Sequence, residues 1–149
     1  MKKVISSFVL LLLISCSKST ETENFTNQTI TPILIAKGQL MGSENILPQN
    51  VVYYNSADWN NTINLIDQFR LANFTETTNV DFNTYQLIAV FDEVYGNPTN
   101  KINISSIAEN LNNITVTVEK IYQPSIATVM TQEFHIVKIP KSSKPVIFQ

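Results

Sequence analysis

Apolar and polar positions alternate with a period of two over most of the chain beyond Pro32, the spacing of half-buried strands. Ile33-Leu34-Ile35-Ala36 opens a first strand and Val51-Val52-Tyr53-Tyr54 a second, with Gly38 and Gly42 marking turns between them. The period then changes. Trp59, Ile63, Ile66 and Phe69 or Arg70 fall at helical spacing, with Asn55 or Ser56 placed as N-cap and Asp58 in the first turn. The pattern predicts one main helix over residues 57–70, packed onto a sheet by Trp59 and Ile63. Val80-Asp81-Phe82 leads into residues 85–91, where apolar side chains occupy consecutive positions, as in a central strand covered on both faces. Residues 101–104 and 114–119 alternate cleanly, so each strand shows one face to water. Residues 134–139 form another strand, stopped by Pro140, and residues 146–148 a short last one. The expected fold class is α+β: a largely antiparallel sheet of about six to seven strands with one main helix. With 149 residues, 44% of them hydrophobic and 15% charged, the chain has the material for one core, placed at residues 31–149.

The beginning of the chain follows a different pattern. Met1-Lys2-Lys3 is a short basic start, and Val4 to Ile14 is an apolar run broken only by Ser6 and Ser7. A bilayer-spanning helix needs about 20 apolar residues, so this run has the length of a secretory signal peptide, not of a permanent span. Leu13-Ile14-Ser15-Cys16 resembles the bacterial lipobox, and the one Cys of the chain stands at the position that motif requires. The resemblance implies cleavage after residue 15, lipidation of Cys16 with a diacylglyceryl group and an N-acyl chain, and a firm membrane anchor. Ser17 after the Cys, by analogy with enteric bacteria, points to the outer membrane. Residues 16–30, rich in Ser, Thr, Asn and Glu, read as a flexible tether.

Charge and composition narrow the chemistry. The chain carries 10 basic and 12 acidic residues; loss of Lys2 and Lys3 with the signal peptide leaves 8 against 12, a net charge of −4. Nucleic-acid binding needs a clustered basic surface, so that partner class is not expected. One Cys and one His argue against disulfide frameworks, Cys/His zinc sites and Cys–His nucleophile pairs. His135 lies inside a strand between Phe134 and Ile136, where a histidine is more often a cross-strand structural residue than a base. Asp92-Glu93 is the one adjacent carboxylate pair. Neighbours on a strand point to opposite faces, so the pair reads as a solvated strand end. The three glycines, at positions 38, 42 and 96, form no phosphate-cradling cluster. These readings predict a non-catalytic protein with no metal and no cofactor.

Beyond these residues there is a resemblance. Leu87-Ile88-Ala89-Val90-Phe91, the turn Gly96-Asn97-Pro98-Thr99, a hairpin and the strand Phe134-His135-Ile136-Val137-Lys138-Ile139-Pro140 follow one another. With Ser56-Ala57-Asp58-Trp59 and Val80-Asp81-Phe82, this order resembles the C-terminal domain family of the protease complex subunit PrcB, over roughly residues 50–148. Asn100-Lys101-Ile102 stand where that family has Gly-Gly-Tyr. The resemblance implies a non-catalytic, chaperone-like envelope lipoprotein that binds and stabilises a secreted or surface protease. Gly96-Asn97-Pro98-Thr99 is also similar to the Asn-Pro-Thr loop of chagasin-type cysteine-protease inhibitors, which plug a protease cleft with three loops. That gives an alternative reading as an inhibitor, and an envelope lipoprotein with a structural or ligand-binding role is a third. The expected partner surface is Gly96, Asn97, Pro98 and Thr99 together with Gln123 and Pro124, because both segments interrupt strands with Pro and polar residues.

Overall fold

The computed structural model describes residues 26–77 and 79–149. The expected signal peptide, Cys16 and most of the expected tether lie outside the described residues. Among the described residues there are eight strands: β1 (Gln28–Thr29), β2 (Ile33–Leu40), β3 (Gln49–Tyr53), β4 (Tyr85–Tyr95), β5 (Asn100–Glu109), β6 (Ile114–Tyr122), β7 (Thr131–Pro140) and β8 (Val146–Phe148). Two short helices, α1 (Ser56–Ile63) and α2 (Gln68–Leu71), lie between β3 and β4. The domain is thus mostly β with a small helical part, and its strands form two sheets of four. The central sheet has the order β2-β7-β4-β3 and the outer sheet β1-β5-β6-β8. All pairings are antiparallel except β6 with β8, which is parallel.

The central sheet divides the interior in two. Leu87, Ala89 and Phe91 of β4 and Phe134 and Ile136 of β7 face the helices, packing against Trp59, Ile63 and Ile66. The alternate positions Ile88, Val90, Val137 and Ile139 face the outer sheet and meet Ile102, Ile104, Ile107, Ile114 and Val116. This is why residues 85–91 are apolar at consecutive positions: each side of β4 has its own core.

Several expectations need correction. The helical stripe is broken. Asn55 caps α1, its Oδ1 accepting the Asp58 N–H at 3.0 Å, but α1 ends at Ile63, and Asp67 caps a separate α2 by accepting from the Arg70 N–H at 3.1 Å. Asp67 is extended (φ −66°, ψ 154°), which interrupts the ladder and leaves Phe69 at 91% exposure on the far side. Trp59 and Ile63 do pack onto the central sheet. Gly38 lies inside β2, paired with Phe134, and marks no turn. The strand count rises to eight in two sheets because Gln28–Thr29, within the segment expected to be tether, pairs with Ala108 and Glu109 of β5.

Candidate functional site

The strand registers bring three connections to one end of the molecule. Leu40 pairs with Gln132, Tyr95 with Thr131, Asn100 with Tyr122 and Gln49 with Phe91. Residues 41–48, 96–99 and 123–130 therefore emerge together, while β1 and the turn after Glu109 lie at the opposite end. The second and third loops touch: the Gln123 N–H donates to the Thr99 carbonyl at 2.6 Å, and the Thr131 hydroxyl donates to the Asn97 carbonyl at 3.2 Å. Thr99 Oγ1 also donates to Asn97 Oδ1 at 2.7 Å, which ties the turn to itself. Gly96, Asn97, Gln123 and Pro124 are exposed, and Pro98 and Thr99 half-buried. The six residues are thus brought to one surface.

The first loop was not anticipated as part of this surface, although the turn formers Gly42-Ser43-Glu44-Asn45 between two strand runs were its signal. It is tightly built. Glu44 accepts the Met41 N–H with both carboxylate oxygens at 3.1 Å and lies 3.4 Å from the Arg70 guanidinium. The Gln132 amide, fully buried, donates to the Ile46 carbonyl at 2.8 Å and to the Asp92 carbonyl at 2.9 Å. Gly42 has φ +76°, and a Cβ there would stand 2.6 Å from Val94 Cγ1. Around this end Met41, Leu47, Val94, Ile121, Tyr122, Ile126, Val129 and Met130 are all exposed apolar side chains. Leu47 at 74%, Tyr122 at 72% and Ile126 at full exposure stand out furthest.

Beneath the loops the two sheets meet through charged groups. Glu133, 2% exposed, accepts from Lys101 Nζ at 2.8 Å and from Gln39 Nε2 at 2.5 Å. Asp92 Oδ1 lies 2.6 Å from Lys120 Nζ. The expectation of a solvated strand end is therefore wrong for Asp92, which is 3% exposed, and holds for Glu93, which is exposed. An irregularity of β4 between Phe91 and Val94 interrupts the expected alternation, and both carboxylates border one cleft with Lys120. What sequence could not show is that the inward face at this point carries a carboxylate matched by a lysine of the other sheet. The Asp92 carboxylate in turn holds the Lys120 ammonium above its usual range.

His135 also faces the outer sheet, and its Nδ1 accepts the Ile104 N–H at 2.8 Å. β1 pairs with Ala108 and Glu109 of β5, so among the described residues His135 takes a donor from a part of β5 that has no strand of the outer sheet beyond it. The bond fixes the neutral tautomer with hydrogen on Nε2. Burial, reinforced by the nearby Lys37 charge, lowers the imidazole to about 4. Among the described residues no group of three or more His, Cys, Asp or Glu side chains is arranged to hold a metal ion, and no helix is long and apolar enough to cross a membrane.

No protein-family model matches the chain, and neither a curated protein nor a solved structure matches it.

Proposed function

We propose that this chain is a non-catalytic, lipid-anchored envelope protein whose loop end holds a protein partner, with a secreted or surface protease as the first candidate. The observation that carries the reading is the set of exposed apolar residues on the first and third loops and on the adjoining ends of β4 and β6, seated over a buried hydrogen-bonded base. Eight such side chains at one end of a small domain suit a protein interface, because scattered exposure needs no explanation whereas clustered exposure does. Loops on a rigid sheet also keep their shape when a partner arrives, which limits the ordering cost of binding.

The direction of the chain agrees with an anchor. Gln28 pairs with Glu109, at the end opposite the loops, so the chain enters the fold there. A lipidated Cys16 would then present the loops away from the bilayer, and the resemblance to the PrcB C-terminal domain family and to the lipobox motivates both the partner class and the outer-membrane location.

The test is crosslinking of the lipidated protein in its own cells, followed by affinity purification and mass spectrometry. One protease should be recovered in near-equal amount, and Tyr122→Asp with Ile126→Asp should remove it while leaving the fold intact. Retention of the partner by that double variant would overturn the assignment of the loop end. The inhibitor reading is favoured by one observation, the three loops sharing an end with Gly96-Asn97-Pro98-Thr99 among them. It requires inhibition of a papain-like protease that is abolished by Pro98→Ala with Thr99→Ala.

A further inference from the structure

The two edges of the central sheet are finished differently. Along β2, the Thr75 N–H donates to the Ile35 carbonyl at 2.9 Å, the Thr75 hydroxyl donates to the Leu34 carbonyl at 2.9 Å, and the Arg70 guanidinium donates to the Gln39 carbonyl. That edge is closed. Along β3, five residues long, no hydrogen bond joins the outer side of the strand to another part of the chain among the described residues. An open edge of this kind is a template for another extended strand.

Beside this edge lies a cleft of about 340 Å³, between Gln49 and Asn50 of β3 and Phe148 and Gln149 of the outer sheet. Ile102, Val118 and Phe148 give it apolar walls, and Asp92, Glu93 and Lys120 line it as well. Asp92 is 3% exposed, and its Oδ2 has no hydrogen-bond partner among the described residues although Oδ1 is paired with Lys120. A buried carboxylate oxygen without a donor is an unsatisfied hydrogen-bond acceptor. The local charge points the same way: Asp92 and Glu93 against Lys120 leave one negative charge in excess. Asn50 faces the outer sheet, as does Val52, so a strand laid beside β3 directs alternate side chains toward the cleft.

We propose that the β3 edge takes an extended polypeptide segment of a partner protein, one of whose side chains is a lysine or arginine that enters the cleft and donates to Asp92 Oδ2. The methylene stem lies on Ile102 and Val118, the charge meets the carboxylate, and the backbone pairs with β3. Affinity comes from the main-chain bonds and selectivity from the one basic side chain. The site adjoins the loop end but does not depend on it.

The test is titration of the isotopically labelled protein with a capped peptide of alternating threonine and valine and one central lysine, followed by NMR. The amide signals of Gln49, Asn50, Val51, Val52 and Tyr53 should move in a saturable way. Replacing the lysine by norleucine should weaken binding about tenfold, and N-methylation of alternate peptide amides should abolish it. Asp92→Asn should weaken binding of the lysine peptide, whereas Lys120→Met, which removes the competing ammonium, should strengthen it. The opposite signs of these variants separate a lost contact from general damage to the fold. Equal binding of the lysine and norleucine peptides would overturn the proposal. So would the same shifts produced by cadaverine alone, which would make the cleft a pocket for small amines and not a strand site. Binding that persists after variants of Tyr122 and Ile126 would show that this site stands even where the loop-end reading fails.

Discussion

The two faces of the central sheet are built from the same strands and held together by different means. Toward the helices, the contacts are apolar and aromatic: Trp59 against Tyr53 at 5.2 Å between ring centroids, Phe74 against Phe134 at 5.7 Å, and Phe91 against Phe134 at 6.3 Å. Toward the outer sheet, an isoleucine and valine core gives way near the loop end to Glu133, Asp92 and His135, each joined to a group of the other sheet. The first face supplies hydrophobic stabilisation, which is indifferent to direction. The second adds bonds that require a particular alignment of one sheet on the other, and one misplaced strand would leave a buried charge alone. The apolar face is thus the source of stability and the charged face the source of alignment, and the loop end and the Asp92 cleft both border the charged one.

The largest break in that comparison comes from the helix side. Trp59 is 1% exposed, and its Nε1–H donates to the Thr77 carbonyl at 2.6 Å. Trp59→Ala removes the ring and strands the carbonyl, and should cost about 3–5 kcal/mol. Trp59→Phe keeps most of the packing and loses the bond, at about 1–2 kcal/mol. Denaturant unfolding of both variants measures the split. A loss for Trp59→Ala no greater than for Trp59→Phe would show that the helix side is held by its hydrogen bond and not by its core.

The charged face should show itself through pH. His135 is lowered in the fold from 6.5 to about 4, so the unfolded chain takes up a proton that the folded chain refuses. Stability contributed by the neutral ring is full above pH 6.5 and is lost as pH falls toward 4, to a total of about 3 kcal/mol. The cause is burial of the ring, reinforced by the Lys37 charge, and in the fold Nδ1 accepts the Ile104 N–H. His135→Gln retains an acceptor that does not titrate. Its stability should therefore fall less than the native protein's between pH 6.5 and 5, as read by urea midpoints across that range. Parallel pH profiles would mean that His135 is as free to protonate in the fold as out of it.

The part of this arrangement legible in the sequence is the part encoded by local periodicity. The unbroken run around Ile88 announced a strand with two covered faces, and the stripe of Trp59 and Ile63 announced a helix against a sheet. The break of that helix escaped notice because Asp67 acts as a cap only once Ile66 turns inward, and the spacing of apolar residues carries straight through it. Asp92 was misread for a related reason: a buried carboxylate looks like a solvated one until its lysine arrives from another sheet. For the loop end, Pro and Gly in residues 96–99 and 123–130 marked two of the three loops. Gly42 marked a turn in residues 41–48 too, but not its place at this end, because what fixes it, Gln132 reaching the Ile46 carbonyl, is a long-range contact by a residue that reads as an ordinary strand position.

The smallest effects sharpen the comparison at the loops themselves, since residues 41–48 belong to the helix side and residues 96–99 join the two sheets. Ile46 is part of the helix-side core and Glu44 reaches Arg70 of α2. Gly42 sits within that packing at positive φ with no room for a methyl group, so Gly42→Ala incurs both a backbone penalty and a clash with Val94. A loss of about 1–3 kcal/mol is expected. Gly96 has open space where a Cβ would go and does not lie at positive φ. Gly96→Ala should then be neutral to slightly stabilising, within about 0.5 kcal/mol, because the substitution restricts the unfolded chain more than the folded one. If thermal unfolding instead ranked Gly96→Ala as the more damaging, the 96–99 turn would be the constrained loop and residues 41–48 the adaptable one. As built, the first loop is the fixed wall of the loop end, and Gly96 is the point in the 96–99 turn with space for an added side chain.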